Sequence, residues 1–199
     1  HCSPVLLPDG NILIIGGTPD EDFRPRQDTN AVLAVELYNP TSNTWSVLGS
    51  LTTPRVYHST ALLLPDGRVW ISGSNYNCEM GMNKRELRIE IFSPPYLLSD
   101  NSRPTIDSIS SETIGYGENF EIDFSSADAI NKVAIIRCSS ITHGFNFDQR
   151  YVALDFSTDA TTLTCVSPPN GAIAPPGVYM LFIINQNNIP SEGKFIAIE

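Results

Sequence analysis

The chain has 199 residues, 41% of them hydrophobic, which is enough to build a core and too many for a disordered chain. Its formal net charge is −10, with Lys and Arg scattered rather than clustered, which argues against a nucleic-acid or anionic-membrane surface. No apolar stretch is long enough for a membrane span. The chain starts at His1 rather than Met, so either a leader has been processed off or the sequence is a piece of a longer polypeptide.

Helical periodicity is nearly absent. Short runs of Val, Ile, Leu and Phe alternate with Gly, Pro, Asn and Asp, the pattern of an all-β protein. SPVLLPDGNILIIGGT (3–18) reads as a strand, a tight Pro-Asp-Gly turn, a second strand and small residues. AVELYNPTSNTW (34–45) continues with further strands. STALLLPDGRVWISGS (59–74) repeats the first motif, and RIEIFSPPYL (88–97) repeats the second, with Glu36 and Tyr38 answering Glu90 and Phe92. The period of about 55 residues is close to that of a kelch-like blade, at about four strands per unit. Two blades cannot close a ring. Residues 1–98 are therefore expected to be the last blades of a larger propeller, with the remainder supplied by missing sequence or by another polypeptide.

SPPYLLSDNSRP (93–104) is rich in Pro, Ser and Asn and reads as a linker. Seven short runs follow: TIDSIS, NFEIDFS, KVAIIRC, YVALDFS, TLTCVS, GVYMLFIIN and KFIAIE. They predict an immunoglobulin-like (E-set) sandwich over 103–199, with a small barrel fitting less well. None of Cys2, Cys78, Cys138 and Cys165 shows CxxC spacing, which argues against a cysteine zinc site. Cys138 and Cys165 lie in β-like runs, and either a disulfide or two buried free thiols fits them. Cys2 and Cys78 can also pair.

Of the three histidines, His1 is terminal. His58 follows Tyr57 just ahead of a hairpin, in RVYHSTALLLPDGRVW (55–70), and His143 sits in the polar loop SSITHGFNFDQRY (139–151). Singly, each has a bland reading as a packing or surface residue. Together, RVYHSTALLLPDGRVW, the linker ending in RP, THGFNFDQRY and PPGVYMLFIINQNNIPS resemble the C-terminal part of the galactose oxidase and glyoxal oxidase family of copper-radical oxidases, over essentially the whole chain.

The resemblance implies a kelch propeller followed by an immunoglobulin-like domain, one loop of which brings a histidine to the propeller axis. Copper is held there by two tyrosines, two histidines and solvent or substrate. By position, Tyr57 resembles the axial tyrosine, which would also act as general base, and His58 and His143 resemble the two imidazole ligands. Such a mixed N,O set suits Cu(II). The family's second redox equivalent, a radical on a tyrosine cross-linked to cysteine, has no match in this chain, and Cys2 falls in the wrong blade for it.

The expectation is thus the C-terminal portion of a secreted oxidase. The parent would act on a primary alcohol or aldehyde and reduce O2 to H2O2, and this chain alone would be inactive. The alternative is a non-catalytic extracellular scaffold, structural, adhesive or glycan-binding, with Tyr76, Phe145 and Phe147 as aromatic platforms for sugars.

Overall fold

The computed structural model describes residues 2–19, 30–77, 83–142 and 145–199. β1 (Ser3–Leu6) and β2 (Ile12–Ile15) form the first hairpin, pairing Ser3 with Ile15 and Leu6 with Ile12. At the turn, Gly10 takes φ 93, a conformation that glycine adopts without a Cβ clash. The Asp9 carboxylate accepts bonds from the backbone and side-chain nitrogens of Asn11. β3 (Ala34–Asn39) and β4 (Thr44–Ser50) complete a four-stranded sheet in the order β1-β2-β3-β4.

The second repeat builds β5 (Thr60–Leu63) and β6 (Val69–Ser72) in the same way. An excursion then carries a two-stranded hairpin, β7 (Asn75–Asn77) with β8 (Asn83–Arg85), before β9 (Glu90–Phe92) returns to pair with β6. The ladders confirm the repeat residue by residue. Ile14 faces Glu36 as Ile71 faces Glu90, and Ile12 faces Tyr38 as Val69 faces Phe92.

Among the described residues this second sheet has three strands, not the four expected. The chain after β9 enters Pro94 and Pro95, which have no N–H to donate to a ladder, and Pro95–Leu97 form a 3-10 turn. Both hairpins are half-buried with period two. Val5, Leu13 and Ile15 face the interior in the first, and Ala61, Leu63, Val69 and Ile71 in the second.

The chain divides into two compact units. The first holds residues 1–64, 68–92 and 139–147, and the second holds 65–67, 93–138 and 148–199. The second unit begins with β10 (Thr105–Ile109), β11 (Thr113–Ile114), β12 (Asn119–Ser125) and β13 (Ile130–Arg137). The next two short strands, β14 (Ile141–Thr142) and β15 (Phe145–Asn146), belong to the first unit. The second unit resumes with β16 (Tyr151–Leu154), β17 (Phe156–Asp159), β18 (Thr162–Val166), β19 (Gly177–Asn185) and β20 (Lys194–Ile198).

Two sheets result, β10-β12-β18-β17 and β11-β20-β19-β13-β16, the layers of a sandwich. Phe120, Ile122 and Phe124 of β12 alternate with exposed Asn119, Glu121, Asp123 and Ser125. They bury against Leu163, Ile135, Leu181 and Ile183, among others. The run YVALDFS, expected as one strand, divides at Asp155 into β16 of one sheet and β17 of the other. The Tyr179 hydroxyl donates to the Pro175 carbonyl at 2.7 Å, closing a corner at the start of β19.

The linker segment 93–104 is anchored: Tyr96 is buried and donates to the Gly67 carbonyl, and Arg103 donates to the carbonyls of Asp66, Pro190 and Ser191. Of the two readings of the second-half cysteines, the disulfide is the one the structure rejects: Cys138 and Cys165 form none. Cys165 lies on β18, opposite Phe120 and Phe156 in one sheet, whereas Cys138 follows β13 of the other sheet. Burial pushes the Cys165 thiol up to about 12. Cys2 is a free, exposed thiol, and Cys78 lies outside the described residues. Among the described residues, no helix is long and apolar enough to cross a membrane.

Candidate functional site

The segment leading to Tyr57 is held by one fully buried cation. Arg55 pairs with Glu90, its Nη2 standing 2.8 Å from Oε2. Nη2 also donates to the Arg88 carbonyl at 3.0 Å, Nη1 donates to the Gly73 carbonyl at 2.8 Å, and Nε donates to Glu90 Oε2 at 3.2 Å. Glu90 also accepts from the Thr52 backbone N–H and from the hydroxyls of Thr52 and Thr53. Burial by itself would raise the Glu90 carboxyl, but the bonds from Thr53, Thr52 and Arg55 outweigh it and hold the group at about 2.

The chain then turns sharply. Val56 N–H donates to Ser74 Oγ at 2.9 Å, and Asn75 N–H donates to the Tyr57 carbonyl at 2.6 Å. His58 takes φ 60, a left-handed conformation uncommon for a residue with a Cβ. Its carbonyl packs directly on Gly73, where a Cβ would come within 2.6 Å of the oxygen, so the small residue ending the second hairpin is a steric requirement. The left-handed turn lays the imidazole on the phenol, with ring centroids 3.8 Å apart and planes 27° apart. Asn75 Nδ2 lies 3.1 Å from His58 Nδ1, and Nε2 is buried.

The structure thus brings Tyr57 and His58 together as one imidazole–phenol unit. His143 lies outside the described residues, as does the Tyr76 side chain. The strands flanking residue 143 are described. β14 lies against β5, the strand that follows His58, and β15 lies against β1. Among the described residues, no three His, Cys, Asp or Glu side chains gather closely enough to hold a metal. Imidazole nitrogen and phenolic oxygen nonetheless make a donor pair suited to Cu(II), and the close stacking places both on one side of the turn. Asn75 was missed by sequence reasoning. Its one signal is that it follows the repeat-equivalent small pair Gly73-Ser74, where the first repeat has Thr18.

Comparison with known proteins covers nearly the whole chain. The family model "Glyoxal oxidase N-terminus" matches residues 2–96, and "Galactose oxidase-like, Early set domain" matches 103–198. An aldehyde oxidase, GLOX, from Vitis pseudoreticulata is 37% identical over 98% of this chain and 40% of its own length. A galactose oxidase from Gibberella zeae is 33% identical over 98% of this chain and 28% of its own. The solved structure of a fungal alcohol oxidase in complex with copper superposes with a TM-score of 0.88 at 31% identity, covering 99% of this chain and 42% of that one. The chain spans less than half the length of each of these relatives. With two adjoining family models matched in order and an all-β architecture of propeller blades and sandwich, the chain belongs to the galactose oxidase and glyoxal oxidase family.

Proposed function

We propose that the chain supplies copper ligands to a secreted oxidase acting on a primary alcohol or an aldehyde. For an alcohol the balance is RCH2OH + O2 → RCHO + H2O2, two electrons and two protons passing to O2. The observation that carries it is the stacked Tyr57–His58 pair at a left-handed turn. Family membership and the copper in the related fungal alcohol oxidase support it.

Tyr57 and His58 would hold the metal through the phenolic oxygen and Nε2, with His143 as a third ligand. Copper, when bound, supplies Lewis acidity and one-electron redox chemistry. The Tyr57 phenolate would take the proton of a substrate hydroxyl as general base. The second electron acceptor and the rest of the propeller are taken to come from residues outside this sequence.

Cu(II) titration of the full polypeptide tests the ligands. His58→Ala combined with His143→Ala should abolish stoichiometric binding. Tyr57→Phe should retain copper yet lose most peroxide production from alcohols and aldehydes. Unchanged copper binding in the double variant would end the proposal.

The second candidate function, a glycan-binding scaffold, draws on Phe145 and Phe147, which are exposed with ring centroids 5.9 Å apart. Glycan binding lost in Phe145→Ala and Phe147→Ala, with no copper bound by the parent, would favour it.

A further inference from the structure

We infer that Asn75 is a positioning residue that sets which ring nitrogen of His58 faces the metal. The inference rests on His58 being a ligand, as proposed above.

Asn75 touches the ligand pair twice. Its backbone N–H donates to the Tyr57 carbonyl at 2.6 Å, and its side-chain amide meets His58 Nδ1 at 3.1 Å. The first contact fixes where the amide starts, and the second fixes the ring. A neutral imidazole has one N–H and one lone pair, and only the lone-pair nitrogen can bind a metal. If Nδ1 carries the proton and donates to an oxygen, the lone pair sits on buried Nε2. If Nδ1 accepts from an NH2 group, the proton moves to Nε2 and coordination there is blocked.

An asparagine amide offers either face at the same place, an oxygen or an NH2 group. The amide lies 3.1 Å from Nδ1, and which of its two ends faces the ring follows the tautomer. With Oδ1 accepting from Nδ1–H, Asn75 selects the tautomer whose Nε2 lone pair is open to a metal.

The test measures Cu(II) affinity by competition titration on the full polypeptide. Asn75→Leu should weaken binding by about 10- to 100-fold, the usual effect of removing the partner of a ligating histidine. Asn75→Asp, whose carboxylate only accepts, should restore affinity to within about threefold of the parent. Thermal unfolding of each variant separates lost folding from lost binding.

In the zinc-loaded parent, 15N spectra of His58 should show the proton on Nδ1. A proton on Nε2, an affinity within twofold of the parent for Asn75→Leu, or failure of Asn75→Asp to rescue would each overturn the role of Asn75. His58→Ala is the control that distinguishes the two proposals. If it weakens copper binding while Asn75→Leu does not, only the positioning role falls. If it leaves copper binding unchanged, the ligand assignment falls and takes the positioning role with it.

Discussion

Glu90→Gln should destabilise the first unit strongly and in a pH-dependent way. Arg55 is fully buried, and Glu90 is its counter-ion. Removing one partner of such a pair leaves an uncompensated charge and costs about 3–5 kcal/mol. The carboxyl itself gives a second magnitude, which counts its bonds from Thr53 and Thr52 as well as from Arg55. It is held at about 2 against an ordinary 4.5. At about 1.36 kcal/mol for each pH unit, that gap corresponds to about 3 kcal/mol. Because the folded state lowers the pKa, this stability is fully present above pH 4.5 and is lost as pH falls through about 2.

The assay is urea unfolding followed by tryptophan fluorescence at several pH values between 7 and 2. Both tryptophans, Trp45 on β4 and Trp70 on β6, lie in the first unit, so the signal reports that unit alone. The difference between parent and Glu90→Gln should be about 3 kcal/mol at pH 7 and shrink towards zero near pH 2. Other carboxylates cancel in the difference. A variant within 1 kcal/mol of the parent at pH 7, or a difference that stays constant down to pH 2, would refute the assignment of Glu90 as the charged anchor of Arg55.

Gly73→Ala should cost more than Gly117→Ala. Both glycines have positive φ, but a Cβ at 73 meets the His58 carbonyl at 2.6 Å and one at 117 meets nothing within 4 Å. The Gly117 variant should lose only the backbone contribution, about 1–2 kcal/mol, and the Gly73 variant should lose copper affinity as well, checked by melting and titration. Alkylation without reductant should label Cys2 rapidly in the folded protein and Cys165 only after unfolding; a mass consistent with a Cys138–Cys165 crosslink would contradict the fold. Arg103→Ala removes three bonds to backbone carbonyls and should destabilise the second unit by about 3 kcal/mol, read by near-ultraviolet circular dichroism during unfolding.

The blades were legible because their signals are local. Pro-Asp-Gly marks a turn by backbone chemistry alone, and the spacing of Glu36 and Glu90 behind each turn already encoded the register seen in the ladders. β12 was legible because one face is buried and one is wet, so Phe120, Ile122 and Phe124 alternate with polar residues. What stayed hidden depends on partners distant in sequence. YVALDFS alternates without a break, and only the competing edges of two sheets divide it at Asp155. The polar stretch 93–104 reads only as a linker because its anchors, the carbonyls of Gly67, Asp66, Pro190 and Ser191, carry no side-chain signature. At the site, Tyr57 and His58 stand out by residue type. Asn75 does not, since an asparagine after a Gly-Ser pair is an ordinary turn residue until the fold returns it to the imidazole.

The excursion between β6 and β9 separates two tasks that a blade usually shares. The ladder of β5-β6-β9 takes no strand from residues 75–89, whose described strands, β7 and β8, pair with each other. Yet that inserted stretch is where the neighbour of the His58 ring originates. With His58 as the proposed ligand, a change at residue 75 would alter the ring's partner without removing any pair from the ladder of β5-β6-β9.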